Sequence, residues 1–100
     1  MFARVMTFRS LARATPEQVQ QATELIVERD LPTIRQSPGC RSAYYLYDSP
    51  TGKLLTVTVW ETEEALEASE EQAARMAAGA GRMGIMTHMG TERFRVLATA

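Results

Sequence analysis

The spacing of apolar residues predicts four β-strands. Residues 2–9 (FARVMTFR) alternate between two parities, which is the period of a strand. Residues 40–48 and 54–61 are rich in aromatic and β-branched residues, and the turn-forming sequence DSPTGK between them predicts an antiparallel hairpin. A final strand is predicted at residues 92–98 (ERFRVLA). The hairpin is the clearest structural signal in the chain.

A helix is predicted between the first two strands. Thr15 is its expected N-cap, Pro16 suits its first position, and Gln18 completes a capping box of the T-x-x-Q type. Apolar residues then recur with helical spacing. Pro32 is expected to kink or end the main run before a last turn through Ile34.

A second helix is predicted at residues 61–78 (ETEEALEASEEQAARMAA), with Thr62 as its cap. Acidic residues fill its first turn, where they suit the positive end of the helix dipole. The residues expected on its buried side are Leu66, Ala73, Met76 and Ala77.

The segment at residues 78–91 contains Gly79, Gly81 and Gly84, which spell the G-x-G-x-x-G of a dinucleotide-binding loop. That fingerprint follows a strand and opens a helix, whereas these glycines follow a helix, and too little chain remains for the rest of the unit. The nucleotide interpretation is therefore rejected. Gly79 or Gly81 is expected to cap the helix, and the segment is expected to form a methionine-rich flap that carries His88 and gates a pocket.

The element order βαββαβ predicts a single α+β domain over residues 1–100. Its expected fold is ferredoxin-like, a four-stranded antiparallel sheet with two helices on one face. The third-strand residues expected beneath the helices are Leu55, Val57 and Val59. The residues expected on the opposite face, together with tyrosines of the neighbouring strand, are Leu54, Thr56, Thr58 and Trp60. Because so apolar a face is not left in water, we expect a homodimer in which two sheets face each other.

Composition limits the classes of function. Apolar residues make up 45% and charged residues 23% of the chain, as in an ordinary globular domain. A net charge of −1 without a basic run argues against nucleic acid as a partner. No segment is apolar enough to span a membrane, and residues 1–8 lack the apolar core of a secretion signal. We therefore expect a cytoplasmic protein. One Cys and one His are too few for a predicted metal site.

Two motifs carry a resemblance to a known family. The sequences SPGCRSAYYLYD at 37–48 and VTVWETEEALEAS at 57–69, set in this element order, resemble the antibiotic biosynthesis monooxygenase family of dimeric α/β-barrel proteins. The resemblance implies a dimer with a pocket in each subunit. It also implies oxidation of aromatic phenols, anthrones or quinols by O₂ without a cofactor. Such chemistry requires a dry aromatic pocket, a proton acceptor and groups that stabilise negative charge.

The site residues expected for this chemistry have separate roles. Trp60, Tyr45 and Tyr47 are the candidates for stacking on the substrate, because the two tyrosines share one side of their strand. Met86 is expected to line the pocket, His88 to transfer a proton, and Arg95 to stabilise charge. Each has an alternative interpretation: the aromatic residues as interface packing, and His88 and Arg95 as surface residues.

Three functions stay open at this point. The leading hypothesis is a cofactor-independent monooxygenase that acts on an aromatic small molecule. The second is a non-catalytic dimer that binds a small molecule or serves regulation. The third is a haem binder with ligation through His88. Haem-degrading relatives use an Asn on the first strand and a His on the second helix, but this chain has Arg4, Met6 and Thr7 on that strand, and Ser69 and Glu70 on that helix. Haem degradation by that route is therefore disfavoured.

Overall fold

A computed structural model describes residues 1–10, 14–82 and 86–100. The strands are β1 (Phe2–Ser10), β2 (Cys40–Asp48), β3 (Lys53–Trp60) and β4 (Met86–Arg95). The helices are α1 (Pro16–Leu25), α2 (Leu31–Arg35), α3 (Glu63–Ala68) and α4 (Glu70–Arg82), and a π-helical turn (Ile26–Asp30) joins α1 to α2. The predicted strands and helical regions are all present.

The four strands form one antiparallel sheet in the order β2-β3-β1-β4. Helix α4 packs on one face of this sheet, where Met6 and Phe8 of β1 and Ala77 of α4 form the buried core. Leu66 of α3 is buried over the same face, and Ile34 of α2 is also buried. The ferredoxin-like α+β fold expected from the sequence is confirmed.

The prediction for which side of β3 faces the helices was wrong. Trp60 pairs with Phe2, Thr58 with Arg4 and Thr56 with Met6, so these β3 residues lie on the helix-covered face. Their burial agrees, since Trp60 is only 2% exposed. Leu55, Val57 and Val59 form the open face instead. Both parities of β3 are apolar enough to be buried, and therefore alternation alone could not decide between them.

The open face of the sheet is nevertheless apolar. By register it carries Val5 of β1, the three aliphatic residues of β3, and Leu46 of β2 opposite Leu55. Phe94 of β4 lies opposite Ala3 on the same face and is 49% exposed. The reason for expecting a dimer therefore remains, although different residues supply it.

The start of the first helix is as predicted. The backbone N–H of Gln18 donates to Thr15 Oγ1 at 3.2 Å, and the backbone N–H of Thr15 donates to Gln18 Oε1 at 2.9 Å, which completes the capping box. Pro32 does not end the helical run. It stands in the first turn of α2, directly after the π-helical turn, where a missing N–H costs no regular helical hydrogen bond.

The described parts of the predicted flap, residues 78–82 and 86–91, belong to a helix and a strand. Helix α4 continues through Gly79 to Arg82, and β4 begins at Met86, six residues before the predicted strand. Gly79 is therefore a helix-interior residue and not a C-cap, and His88 lies in a strand. Gly84, the third glycine of the G-x-G-x-x-G sequence, lies outside the described residues. Strand β4 is longer than predicted because it pairs with β1 along its whole length. Without β4, the backbone N–H and C=O groups on this edge of β1 would have no partners.

Two glycine substitutions test this description. Gly79→Ala is expected to raise the free energy of unfolding by about 0.5–1 kcal/mol, because a helix-interior glycine has more chain entropy to lose and no atom lies within 4 Å of the added Cβ. Gly39→Ala is expected to lower it by more than about 1 kcal/mol, because Gly39 has a φ of 80° and its added Cβ would meet Ala65 Cβ at 2.5 Å. Urea unfolding measures both. A destabilising Gly79→Ala would show that Gly79 caps the helix after all.

Candidate functional site

A buried arginine connects the sheet to the helices. Arg4 points from β1 into the helix-covered face and is only 4% exposed. Its guanidinium donates from Nη1 to Ser69 Oγ at 2.9 Å and from Nη2 to the Leu66 carbonyl at 2.7 Å. Ser69 separates α3 from α4, and its hydroxyl also donates to the Leu66 carbonyl at 2.7 Å. The Leu66 carbonyl also accepts from the backbone N–H of Ser69 at 3.2 Å, so Arg4 adds a further donor to acceptors at the end of α3.

Both acceptors of Arg4 are neutral. Among the described residues, no Asp or Glu oxygen forms a salt bridge with Arg4, since the ion pairs found there join Arg93 to Glu67 and Glu70. Burial lowers the pKa of Arg4, and the positive charge of Arg93 lowers it further. A buried charge without an ionic partner is costly by several kcal/mol. The Arg4 guanidinium is therefore an incompletely compensated cation inside the fold.

A small cavity lies beside Arg4, with a volume of about 20 Å³, room for about one water molecule. The side chains around it come from the sheet and from α2 and α4. They are Arg4, Met6, Ile34, Tyr45, Thr56, Thr58, Trp60, Ser69, Gln72, Ala73 and Met76. Thr56 is 5% exposed, and its Oγ1 has no hydrogen-bond partner among the described residues. A buried hydroxyl without a partner is uncommon and marks a position where a further polar group fits.

Trp60 and Tyr45 form the aromatic part of this cavity. Trp60 donates from Nε1 to Thr58 Oγ1 at 2.9 Å, which fixes the indole in the wall. The Tyr45 hydroxyl donates to Asp30 Oδ2 at 3.4 Å. Burial, with the nearby Asp30 charge, raises the pKa of Tyr45 well above its ordinary value, and burial also raises the pKa of Asp30. Tyr45 is therefore a neutral hydrogen-bond donor and not a proton acceptor.

His88 lies in a second, more open cleft of about 430 Å³ between α4 and β4. Its Nε2 lies 3.0 Å from the Gly90 carbonyl and 2.9 Å from Thr91 Oγ1, and its ring centroid is 5.2 Å from that of Phe8. This cleft and the small cavity share the side chains of Arg4, Met6 and Ala73.

The expected site residues do not all meet. Trp60 pairs with Phe2, whereas His88 pairs with Phe8, so the two lie six β1 residues apart, about 20 Å along the strand. Trp60 and Tyr45 line the same cavity, but His88 lines only the other one.

The remaining three expected site residues lie outside both cavities. Arg95 is opposite Phe2 on the edge strand β4. Tyr47 is opposite Leu54 on the helix-covered face. Met86 packs against the core beneath α4. None of them lines either cavity, and their functional roles stay predictions.

Sequence reasoning overlooked Arg4 and Thr56 as site residues. The signal for Arg4 was present, because in FARVMTFR the residue shares its parity with two phenylalanines and a methionine. A charge on an apolar strand face requires an internal partner. Thr56 had no comparable signal, since threonine is common in strands.

Two negative findings hold for the described ranges 1–10, 14–82 and 86–100. They contain no group of three or more His, Cys, Asp or Glu side chains that could hold a metal ion. None of their helices has the length and hydropathy of a membrane span.

The fold and the site together define a small ferredoxin-like protein with a cavity between its sheet and its helices. The family description "Antibiotic biosynthesis monooxygenase" matches residues 4–80. The chain belongs to this family, which confirms the resemblance seen in its two sequence motifs.

Solved structures share this fold at low sequence identity. The ActVA-Orf6 monooxygenase of Streptomyces coelicolor, in complex with nanaomycin D, is 20% identical with a TM-score of 0.67, covering 99% of this chain and 89% of that one. A variant of SnoaB, a cofactor-independent oxygenase from Streptomyces nogalater, is 13% identical with a TM-score of 0.66, covering 98% and 95%. A variant of MhuD with two manganese protoporphyrin IX molecules per active site is 20% identical with a TM-score of 0.64, covering 100% and 98%. A search of curated proteins by sequence finds no significant match.

Proposed function

We propose that this protein is a monooxygenase that oxidises an aromatic phenol, anthrone or quinol with O₂ and without a cofactor. The observation that carries the proposal is the cavity on the helix-covered face, in which Trp60, Tyr45 and the Arg4 cation come together. Family membership supports the reaction class, and the cofactor-independent oxygenase of the same fold supports the absence of a cofactor.

The residues of the cavity suit two of the three requirements of this chemistry. Trp60 offers an aromatic wall for a planar substrate. Arg4 offers donors to the negative charge that forms when the substrate loses a proton. The deprotonated substrate then gives electrons to O₂. For an anthrone, one oxygen atom ends in the new carbonyl group, and the other leaves as water with the two hydrogens of the oxidised carbon.

Substrate entry requires side chains to move. A cavity of about 20 Å³ does not hold an aromatic ring. Its helical side includes Met76 and Gln72 of α4, and Gln72 accepts a hydrogen bond from the Ser37 hydroxyl at 2.9 Å. Met76 is unbranched and changes rotamer readily. Movement of these two side chains would enlarge the cavity on its helical side.

One observation favours a second function, a binding protein without turnover. Among the described residues that line the small cavity, none is a carboxylate or an imidazole, so a proton acceptor is not built into its wall. A haem site fits the residues less well, because the chain has a single histidine and His88 is about 20 Å along β1 from Trp60.

Turnover of a defined panel tests the oxygenase. Purified protein is incubated with anthrones and hydroquinones under O₂, and mass spectrometry detects products that gain one oxygen atom and lose two hydrogens. Trp60→Phe is expected to lower kcat/KM at least about tenfold, equivalent to about 1.4 kcal/mol of transition-state stabilisation. Binding without product would contradict the oxygenase and favour the binding protein.

His88 and Arg95 enter the same assay. Their proposed parts in proton transfer and charge stabilisation require that His88→Gln or Arg95→Gln lower kcat. If either variant keeps the parental kcat while Trp60→Phe lowers it, the substituted residue has no part in the mechanism. The site would then be the cavity beside Trp60.

We also propose that the protein forms a homodimer through the open face of the sheet. A contiguous apolar face of this kind is characteristic of a protein interface. The aliphatic residues of β3 lie at the middle of this face, and Phe94 and Leu46 extend it toward the two edges.

Light scattering tests the dimer. The parental protein is expected to have twice the chain mass of 11.1 kDa, and Val57→Lys is expected to reduce it to that of one chain, because it places a charge at the middle of the interface. Leu25→Lys, at a residue 41% exposed on α1, is the matched control and should leave the dimer intact. A parental mass near 11.1 kDa at micromolar concentration would contradict the proposal.

A further inference from the structure

We infer that the cavity beside Trp60 binds its ligand as an anion and that Arg4 selects the charged form. The ligand class is an aromatic compound with an acidic hydroxyl group, bound as its phenolate or enolate. This inference rests on the proposed site, but it concerns recognition and holds whether or not the bound compound reacts with O₂.

The first support is the charge balance around Arg4. Arg4 is 4% exposed, and its hydrogen-bond partners Ser69 and Leu66 contribute only neutral oxygen atoms. A ligand anion would supply the negative charge that the described residues do not. The attraction would be strong because water is largely excluded from the site.

The second support is the set of donors that remains free. A guanidinium has five N–H groups, and the hydrogen bonds to Ser69 and Leu66 use one each on Nη1 and Nη2. Arg4 lines the cavity, and its remaining N–H groups have no hydrogen-bond partner among the described residues. Thr56 is 5% exposed, and its hydroxyl also has no hydrogen-bond partner among the described residues. An oxyanion accepts several hydrogen bonds at once, and therefore both observations point to the same kind of group.

Other charged and titratable groups around Arg4 do not supply the missing negative charge. They are Arg93 and His88 on β4, Glu67 on α3, Glu70 on α4 and Tyr45 on β2. Both carboxylates are paired with Arg93, and Tyr45 is kept neutral by burial and by Asp30. Arg4 therefore has no carboxylate of its own as an ionic partner among the described residues.

This arrangement explains how a cavity without a base favours a deprotonated ligand. An adjacent cation lowers the pKa of a bound hydroxyl group, so that binding releases its proton to solvent. Arg4 is a binding residue in this account, because its effect is exerted through direct contact with the ligand oxygen.

Binding of 4-nitrophenol without oxygen tests the inference. Its phenol and phenolate forms differ in visible absorption, so its pKa is read directly in the complex. In the parental protein this pKa is expected to fall by at least about one unit, which corresponds to a tenfold preference for the anion. The chain has a single tryptophan, and quenching of Trp60 fluorescence therefore measures Kd at this site. The methyl ether 4-nitroanisole is the neutral match.

Substitutions of Arg4, Arg9 and Thr56 separate the effect of the Arg4 charge on binding from effects on the stability of the fold. Arg4→Gln is expected to abolish the pKa shift and the preference over 4-nitroanisole, whereas Arg4→Lys should retain part of both. Arg9→Gln, the same charge change at an exposed residue of the same strand, is the control and should retain both in full. Thr56→Val is expected to weaken phenolate binding severalfold while the urea midpoint stays equal or rises, because its hydroxyl has no partner to lose among the described residues.

The outcomes distinguish this inference from the proposed function. An unshifted pKa in the parental protein, equal affinity for the ether, a failure of both compounds to quench Trp60, or a preference that survives Arg4→Gln would overturn it. The parental titration decides the matter even where Arg4→Gln does not fold. Turnover of anthrones without an anion preference would leave the oxygenase standing and remove only the role of Arg4.

Discussion

The hydrogen bonds of the Arg4 guanidinium to Ser69 and Leu66 are the interaction on which the site depends. They join the first half of β1 to the point where α3 ends and α4 begins. Beyond Ser69, Ala77 of α4 packs against Met6 and Phe8. A single buried cation thus connects the sheet to the helical layer and also lines the cavity.

The cavity is an exception within an otherwise apolar layer. Thr56 and Thr58 of β3 and Ser69 of the helical layer are all buried there, on a face where aliphatic residues would give a more stable core. Thr58 Oγ1 accepts a hydrogen bond from the Trp60 indole, and Ser69 Oγ accepts one from Arg4. Thr56 Oγ1 has no hydrogen-bond partner among the described residues. Polar groups retained at such a cost are typical of sites that serve function before stability.

The sequence predicted the strands, the capping box at Thr15 and the fold, because these follow from local periodicity and cap chemistry. It could not orient β3, since Leu55 and Leu54 are equally suited to burial and only the pairing of Trp60 with Phe2 decides the face. The end of α4 was predicted too early in the chain, because glycine weakens a helix without ending it. Trp60 and Tyr45 were both predicted to stack on the substrate, and they line the same cavity. Arg4 was not identified, because its role depends on a contact with residues more than 60 positions away.

A crystal structure of the protein with a bound aromatic phenol, prepared without oxygen, tests the account most directly. The account predicts an aromatic ring against Trp60 on the helix-covered face, with the phenol oxygen about 2.7–3.2 Å from a guanidinium nitrogen of Arg4. Met76 or Gln72 should have moved away to admit the ring. A ligand on the open face of the sheet, or beside His88 with no contact to Arg4, would contradict it.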